Sequence, residues 1–174
     1  MKSKKLFSSA GALSLALFSA AALATGEHVG GHGQDEGAVG APGKAANVSR
    51  MIKIDMSDTM RFTPASISAK QGETIRFVVT NSGKVKHELV FGTEKALREH
   101  YEVMKKNPEM EHADENMVTV APGKSGEVIW QFTKAGKIDF ACLQPGHYDA
   151  GMKGAVLVAG APGKKTDGHG DHKH

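Results

Sequence analysis

A single cysteine, Cys142, serves a chain of 174 residues, so no internal disulfide can staple the fold. Its thiol is left as a core filler, an intermolecular crosslink, a nucleophile or a metal ligand. Surplus charge is also lacking. Of 22 basic residues, Lys2, Lys4 and Lys5 lie within the first 24 positions, which hold no acid, so 19 basic residues face 19 acidic ones in the remainder. That balance gives no support to nucleic-acid binding. A long apolar run occurs only at the start, where Leu6 to Leu23 carries no charge and Ala22-Leu23-Ala24 fits a small-x-small cleavage site. Its Ala and Ser content and the lack of a following stop-transfer pattern argue against an anchor. Residues 1–24 are expected to be a secretory signal cleaved after Ala24, leaving no membrane span.

Residues 25–47 are rich in Gly and poor in large apolar groups, and 160–174 read likewise, so both are expected to be flexible tails. GAPGK at 40–44 and 160–164, and APGK at 121–124, are turn and linker chemistry, not a structural repeat. Between the tails the pattern has period two. Ile75, Phe77 and Val79 share a face, as do Val128, Trp130 and Phe132; Met51–Asp55 and Ala155–Val158 are further short strands. Gln71-Gly72, Asn81-Ser82-Gly83, Pro122-Gly123 and Ala135-Gly136 punctuate them, which points to an all-β sandwich of one domain. One segment departs from this. Residues 93–106 place Ala96, Leu97, Tyr101 and Met104 at helical spacing, with Thr93 as a cap and Asn107-Pro108 as a stop. A helical insertion is expected there, leading into a Met- and His-bearing loop at 107–118.

Cys142 is followed at steps of five by His147 and Met152 in FACLQPGHYDAGM. Alternation puts Ile138, Phe140 and Cys142 on one face of a strand, while Pro145, Gly146 and Gly151 mark a loop before the next strand. A strand–loop–strand connection can converge three side chains on one point. A fourth comes from HELVF, where His87, Leu89 and Phe91 share an apolar face. Alone, His87 reads as a satisfied core histidine; beside the second cluster it reads as a ligand. Thiolate, two imidazoles and a thioether mix soft and borderline donors and suit copper in both oxidation states. Structural zinc rarely takes a thioether, and calcium and magnesium want oxygens. With all four donors supplied by the protein, little room remains for a substrate on the metal, so an enzyme is not expected.

From about Val48 to Ala159 the chain resembles the cupredoxins, the blue-copper proteins such as azurin, plastocyanin and pseudoazurin. FTPASISAKQGETIRFVVTNSGKVKHELV at 62–90 and FACLQPGHYDAGMKGAVLV at 140–158 carry the resemblance. It implies a Greek-key sandwich with His87, Cys142 and His147 as strong copper ligands and Met152 as the axial one. One departure is Glu88, where azurin and plastocyanin usually carry Asn; by alternation it faces away from the side of His87. More closely, the chain is similar to periplasmic cupredoxins associated with copper tolerance, through its His-bearing N-terminal tail, its Asp58–Pro64 opening and its Met/His-rich insertion. A monomeric periplasmic copper protein is implied, cycling between Cu(I) and Cu(II) and meeting a redox or copper-transfer partner. The competing expectation is a soluble electron carrier between respiratory proteins. A copper nitrite reductase would need a second, open copper site, and a dinuclear centre a second cysteine.

Secondary copper sites are a further expectation. His28 and His32, with His169, His172 and His174, lie on the tails, where His-rich tracts can hold metal weakly. His100, Met104, Met110, His112 and Met117 in the insertion combine donors that suit Cu(I). Against this, methionine often fills core gaps, and Met51, Met56 and Met60 face the same choice.

Overall fold

The computed structural model describes residues 36–111 and 113–161. They form two five-stranded sheets packed face to face. The first holds β1 (Ala41–Pro42), β8 (Ser125–Gln131), β5 (Thr74–Asn81), β2 (Arg50–Ser57) and β3 (Arg61–Thr63), in that order. The second holds β4 (Ser66–Lys70), β10 (Lys153–Ala159), β9 (Gly136–Ala141), β6 (His87–Gly92) and β7 (Met117–Val120). Pairing is antiparallel except for β2 with β5 and β4 with β10.

Period-two alternation builds the core. Ile75, Phe77 and Val79 of β5 and Val128 and Trp130 of β8 point inward against Leu89 and Phe91 of β6 and Ile138 and Phe140 of β9. Phe91 is the hub, stacked on Trp130 at 6.0 Å and tilted against Phe77 at 5.1 Å between ring centroids. Strand β6 does not alternate in burial, because both its faces are covered. The helix Glu94–Lys106 (α2) lies over its outer face and buries Leu97, Tyr101 and Met104 with Val90, Met117, Ala141, Leu143 and Tyr148. Thr93 caps the helix by accepting a bond from the Ala96 amide at 3.1 Å, and Asn107 ends it.

Two expectations shift. Residues 36–47, placed in a tail by composition, pack onto the sandwich. After a helical turn, Glu36–Val39 (α1), β1 adds to the edge of β8, Val39 is buried, and Trp130 Nε1 donates to the Val39 carbonyl at 3.0 Å. Gly40, at φ 123°, lies so close to the Trp130 ring that a Cβ would overlap it. The composition argument weighs apolar bulk alone; an open strand edge also accepts a flat, small-residue segment through backbone bonds. Met117, expected in a loop, opens β7, whose hydrogen bonds to β6 begin there. The tail residues 25–35 and 162–174 lie outside the described residues.

Candidate metal centre

His87 opens β6 and Cys142 directly follows β9, so both stand at the same end of one sheet. The loop 143–152 then folds back before β10. Its turns are held by bonds from the His147 amide to Gln144 O at 3.0 Å and from the Gly151 amide to Tyr148 O at 3.1 Å, with Gly146 and Gly151 at positive φ. The loop closes on itself: the Met152 amide donates to His147 O at 3.0 Å, and the Cys142 amide to Met152 O at 3.1 Å. These bonds bring the three spaced residues of the C-x4-H-x4-M pattern together.

The donors of Cys142 and His147 converge with that of His87. His147 Nδ1 lies 3.3 Å from Cys142 Sγ and 3.2 Å from His87 Nδ1. One donor atom from each of His87, Cys142 and His147 falls within 4.8 Å of the others. His87, Cys142 and Met152 are fully buried, and His147 is half-buried. Each of these close pairs needs a proton shared between its two atoms, or a cation in its place. The donor set therefore fits a soft or borderline metal ion.

Burial pushes the Cys142 thiol up to about 12, a rise that the backbone N–H groups of Glu88 and Gln144 partly offset. Desolvation also lowers the His147 pKa, with the neighbouring His87 charge acting the same way. Both shifts favour neutral groups in the metal-free protein.

Three residues support the ligands, and of these only Glu88 was singled out from sequence, as a departure and not as a support. Glu88 does face away from His87, yet it is buried and bonded. Its amide donates to Cys142 Sγ at 3.4 Å, and its carboxylate accepts from the Leu143 amide at 3.0 Å and from Gln144 Nε2 at 2.9 Å. One residue thus touches the thiol and fixes the chain just beyond it. Tyr101 of α2 reaches the same loop: its hydroxyl accepts from the Gly146 amide at 3.0 Å and donates to Asp149 at 2.9 Å, on either side of His147. Its ring stacks on Tyr148 at 5.1 Å. Asp58, in the turn after β2, places Oδ1 3.2 Å from His87 Nε2. Asp58 and Glu88 both lie in motifs that carry the resemblance and Tyr101 lies in the expected helix, but nothing in the spacing of Asp58 from His87 shows the contact.

The insertion residues are distributed differently. Met104 and Met117 lie together in the buried cluster beneath α2, His100 is half-buried on the helix, and Met110 is exposed. Met56 is buried in the main core, Met60 packs partly against it, and Met51 is exposed. His28, His32 and His112 lie outside the described residues.

A two-sheet sandwich with a thiol–imidazole cluster at one end defines a β-sandwich with a candidate metal site. Residues 48–159 match the family of copper binding proteins described as plastocyanin/azurin, and the chain belongs to that family. It is 52% identical over 132 residues to a copper-resistant cuproprotein, CopI, of Rubrivivax gelatinosus, covering 75% of this chain and 80% of that protein. A protein of the same name from Pseudomonas aeruginosa is 38% identical over 156 residues, covering 73% and 84%. Among solved structures, the reduced auracyanin of Roseiflexus castenholzii superimposes with a TM-score of 0.55 at 23% identity, covering 64% of this chain and 98% of that one. This last likeness bears on the fold.

Proposed function

We propose that the chain is an exported, periplasmic copper protein that contributes to copper tolerance by holding one copper ion and passing single electrons. The observation that carries this reading is the convergence of His87, Cys142 and His147 at one buried point. Bound copper supplies a one-electron couple between Cu(I) and Cu(II). The chain's own residues do the rest. Cys142, after losing its proton, would hold the ion together with His87 Nδ1 and His147 Nδ1, and Met152 would add a weaker thioether donor. Glu88 holds the ligand loop at Leu143 and Gln144 and Tyr101 holds it at Gly146 and Asp149, so that neither oxidation state has to rebuild it. Half-burial of His147 leaves one ligand edge near the surface for a redox or copper-transfer partner. Four protein donors leave no ready position for a substrate, which favours holding and electron transfer over catalysis. The names of the relatives support tolerance, and the basic-then-apolar start supports export.

A deletion strain tests the biological role. It should grow normally at low copper and fail at raised copper, and His87→Ala or Cys142→Ser should reproduce much of that failure. A deletion that slows respiration at low copper and leaves copper sensitivity unchanged would favour the respiratory carrier.

A further inference from the structure

We propose that Asp58 is a positioning residue for the metal centre. Its carboxylate accepts the Nε2 proton of His87, fixes the tautomer that leaves Nδ1 free for the metal, and biases the site toward the more highly charged copper ion. The inference rests on the copper reading above and adds a residue that sets the balance between the two oxidation states.

The geometry is direct. The two nitrogens of the fully buried His87 ring face opposite partners: Nδ1 faces the ligand cluster and Nε2 lies 3.2 Å from Asp58 Oδ1. A neutral imidazole carries one proton, and a carboxylate can only accept, so the proton belongs on Nε2 and the lone pair on Nδ1. The carboxylate is itself held in place. Asp58 accepts from the Lys84 amide at 2.8 Å and from the Val85 amide at 3.4 Å, so the loop before β6 wraps around it. Gly83 is part of the fit, because a Cβ there would overlap the Asp58 carboxylate. From below, the turn is closed by the Met60 amide bonding Ser57 O at 3.0 Å and by the Ser57 and Thr59 hydroxyls at 2.8 Å. Met60 sits at φ 59°, a left-handed conformation uncommon outside glycine and asparagine. An anion aimed at the remote nitrogen of a ligand histidine makes that histidine a stronger donor. It stabilises Cu(II) more than Cu(I), since the added negative charge interacts with the larger positive one. Asp58 is 39% exposed, so solvent screens part of the effect.

The test uses the full-length protein and its Asp58→Asn variant, which removes the charge and leaves one acceptor oxygen where Oδ2 now takes the Lys84 amide and Oδ1 takes the Val85 amide and His87 Nε2. Loss of an outer partner to a ligand histidine costs about 10–100-fold in metal affinity, and the exposure of Asp58 sets the expectation near tenfold. Cu(II) affinity, measured by chelator competition, should fall about tenfold while Cu(I) affinity changes much less. The reduction potential should then rise by about 59 mV for each tenfold difference. Unchanged relative affinities, with only a lower unfolding temperature, would make Asp58 a loop tie and overturn the proposal. The second arm needs no variant: long-range ¹H–¹⁵N spectra of the metal-free and Cu(I) wild-type protein should show His87 protonated at Nε2. A proton on Nδ1 in the metal-free protein would also overturn it, even if Asp58→Asn fails to fold. A wild-type protein that takes up no copper would refute the copper reading, while the metal-free spectrum would still decide the tautomer.

Discussion

Proton release on metal uptake follows from the burial of Cys142. Its thiol stands at about 12 against an ordinary 9.0, and only the thiolate binds metal. The gap of about three pH units corresponds to about 4 kcal/mol that burial adds to the cost of forming the thiolate. At pH 8 about one molecule in ten thousand carries the thiolate, whereas ordinary imidazoles are already neutral. Each metal bound should therefore release one proton, and it should come from Cys142. The sign is fixed: the free site holds the proton and the loaded site does not, so affinity rises with pH, about tenfold per unit between pH 7.5 and 9. Below the ordinary imidazole range the slope should steepen, delayed by the lowered pKa of His147. Calorimetric titration with Cu(I) in buffers of different ionisation enthalpy counts the protons. A count near zero at pH 8, or an affinity flat across that range, would mean that the thiolate is already formed and that burial does not control this site.

Other expectations follow from single contacts. Met152→Leu conserves volume at a fully buried position and should cost under about 1.5 kcal/mol of stability; it should retain copper and raise the reduction potential, and complete loss of copper would make Met152 a primary ligand. Tyr101→Phe removes the hydroxyl that bonds Gly146 and Asp149 but keeps the ring on Tyr148. At a net cost of about 1–1.5 kcal/mol, amide exchange across 146–152 should quicken roughly tenfold, and unchanged exchange would remove the clamp. Met104 and Met117 lie in an apolar cluster, so replacing both with leucine should leave the copper count of the full chain unchanged. A count lowered by one or more would make them ligands.

Much of the architecture was legible because alternation is a local signal. The face shared by Ile138, Phe140 and Cys142 and the one shared by His87, Leu89 and Phe91 are both buried, as period two requires. The helix at α2 was equally plain, since its cap, apolar spacing and stop are contiguous in sequence. The short strands β3, β4 and β7 were not found. Arg61–Thr63 and Met117–Val120 are too brief to show a period, and they are strands because a neighbour supplies the hydrogen bonds. The same limit hid part of the site. Even spacing pointed to Cys142, His147 and Met152, but Tyr101 reaches the loop around His147, and Asp58 reaches His87, through tertiary contacts spanning tens of residues. Glu88 shows the limit of face arguments: facing away from His87 leads to the outside only if the outer face of β6 is bare, and α2 covers it.

The central claim is that one copper ion is held by Cys142 with His87 and His147. The most direct measurement is copper stoichiometry with an optical spectrum on the Cu(II)-loaded wild-type protein and on Cys142→Ser. An intense visible band from thiolate-to-copper charge transfer should accompany copper binding in the wild type and vanish in the folded variant. A band of the same intensity surviving in Cys142→Ser, or a copper-loaded wild type without one, would contradict the assignment.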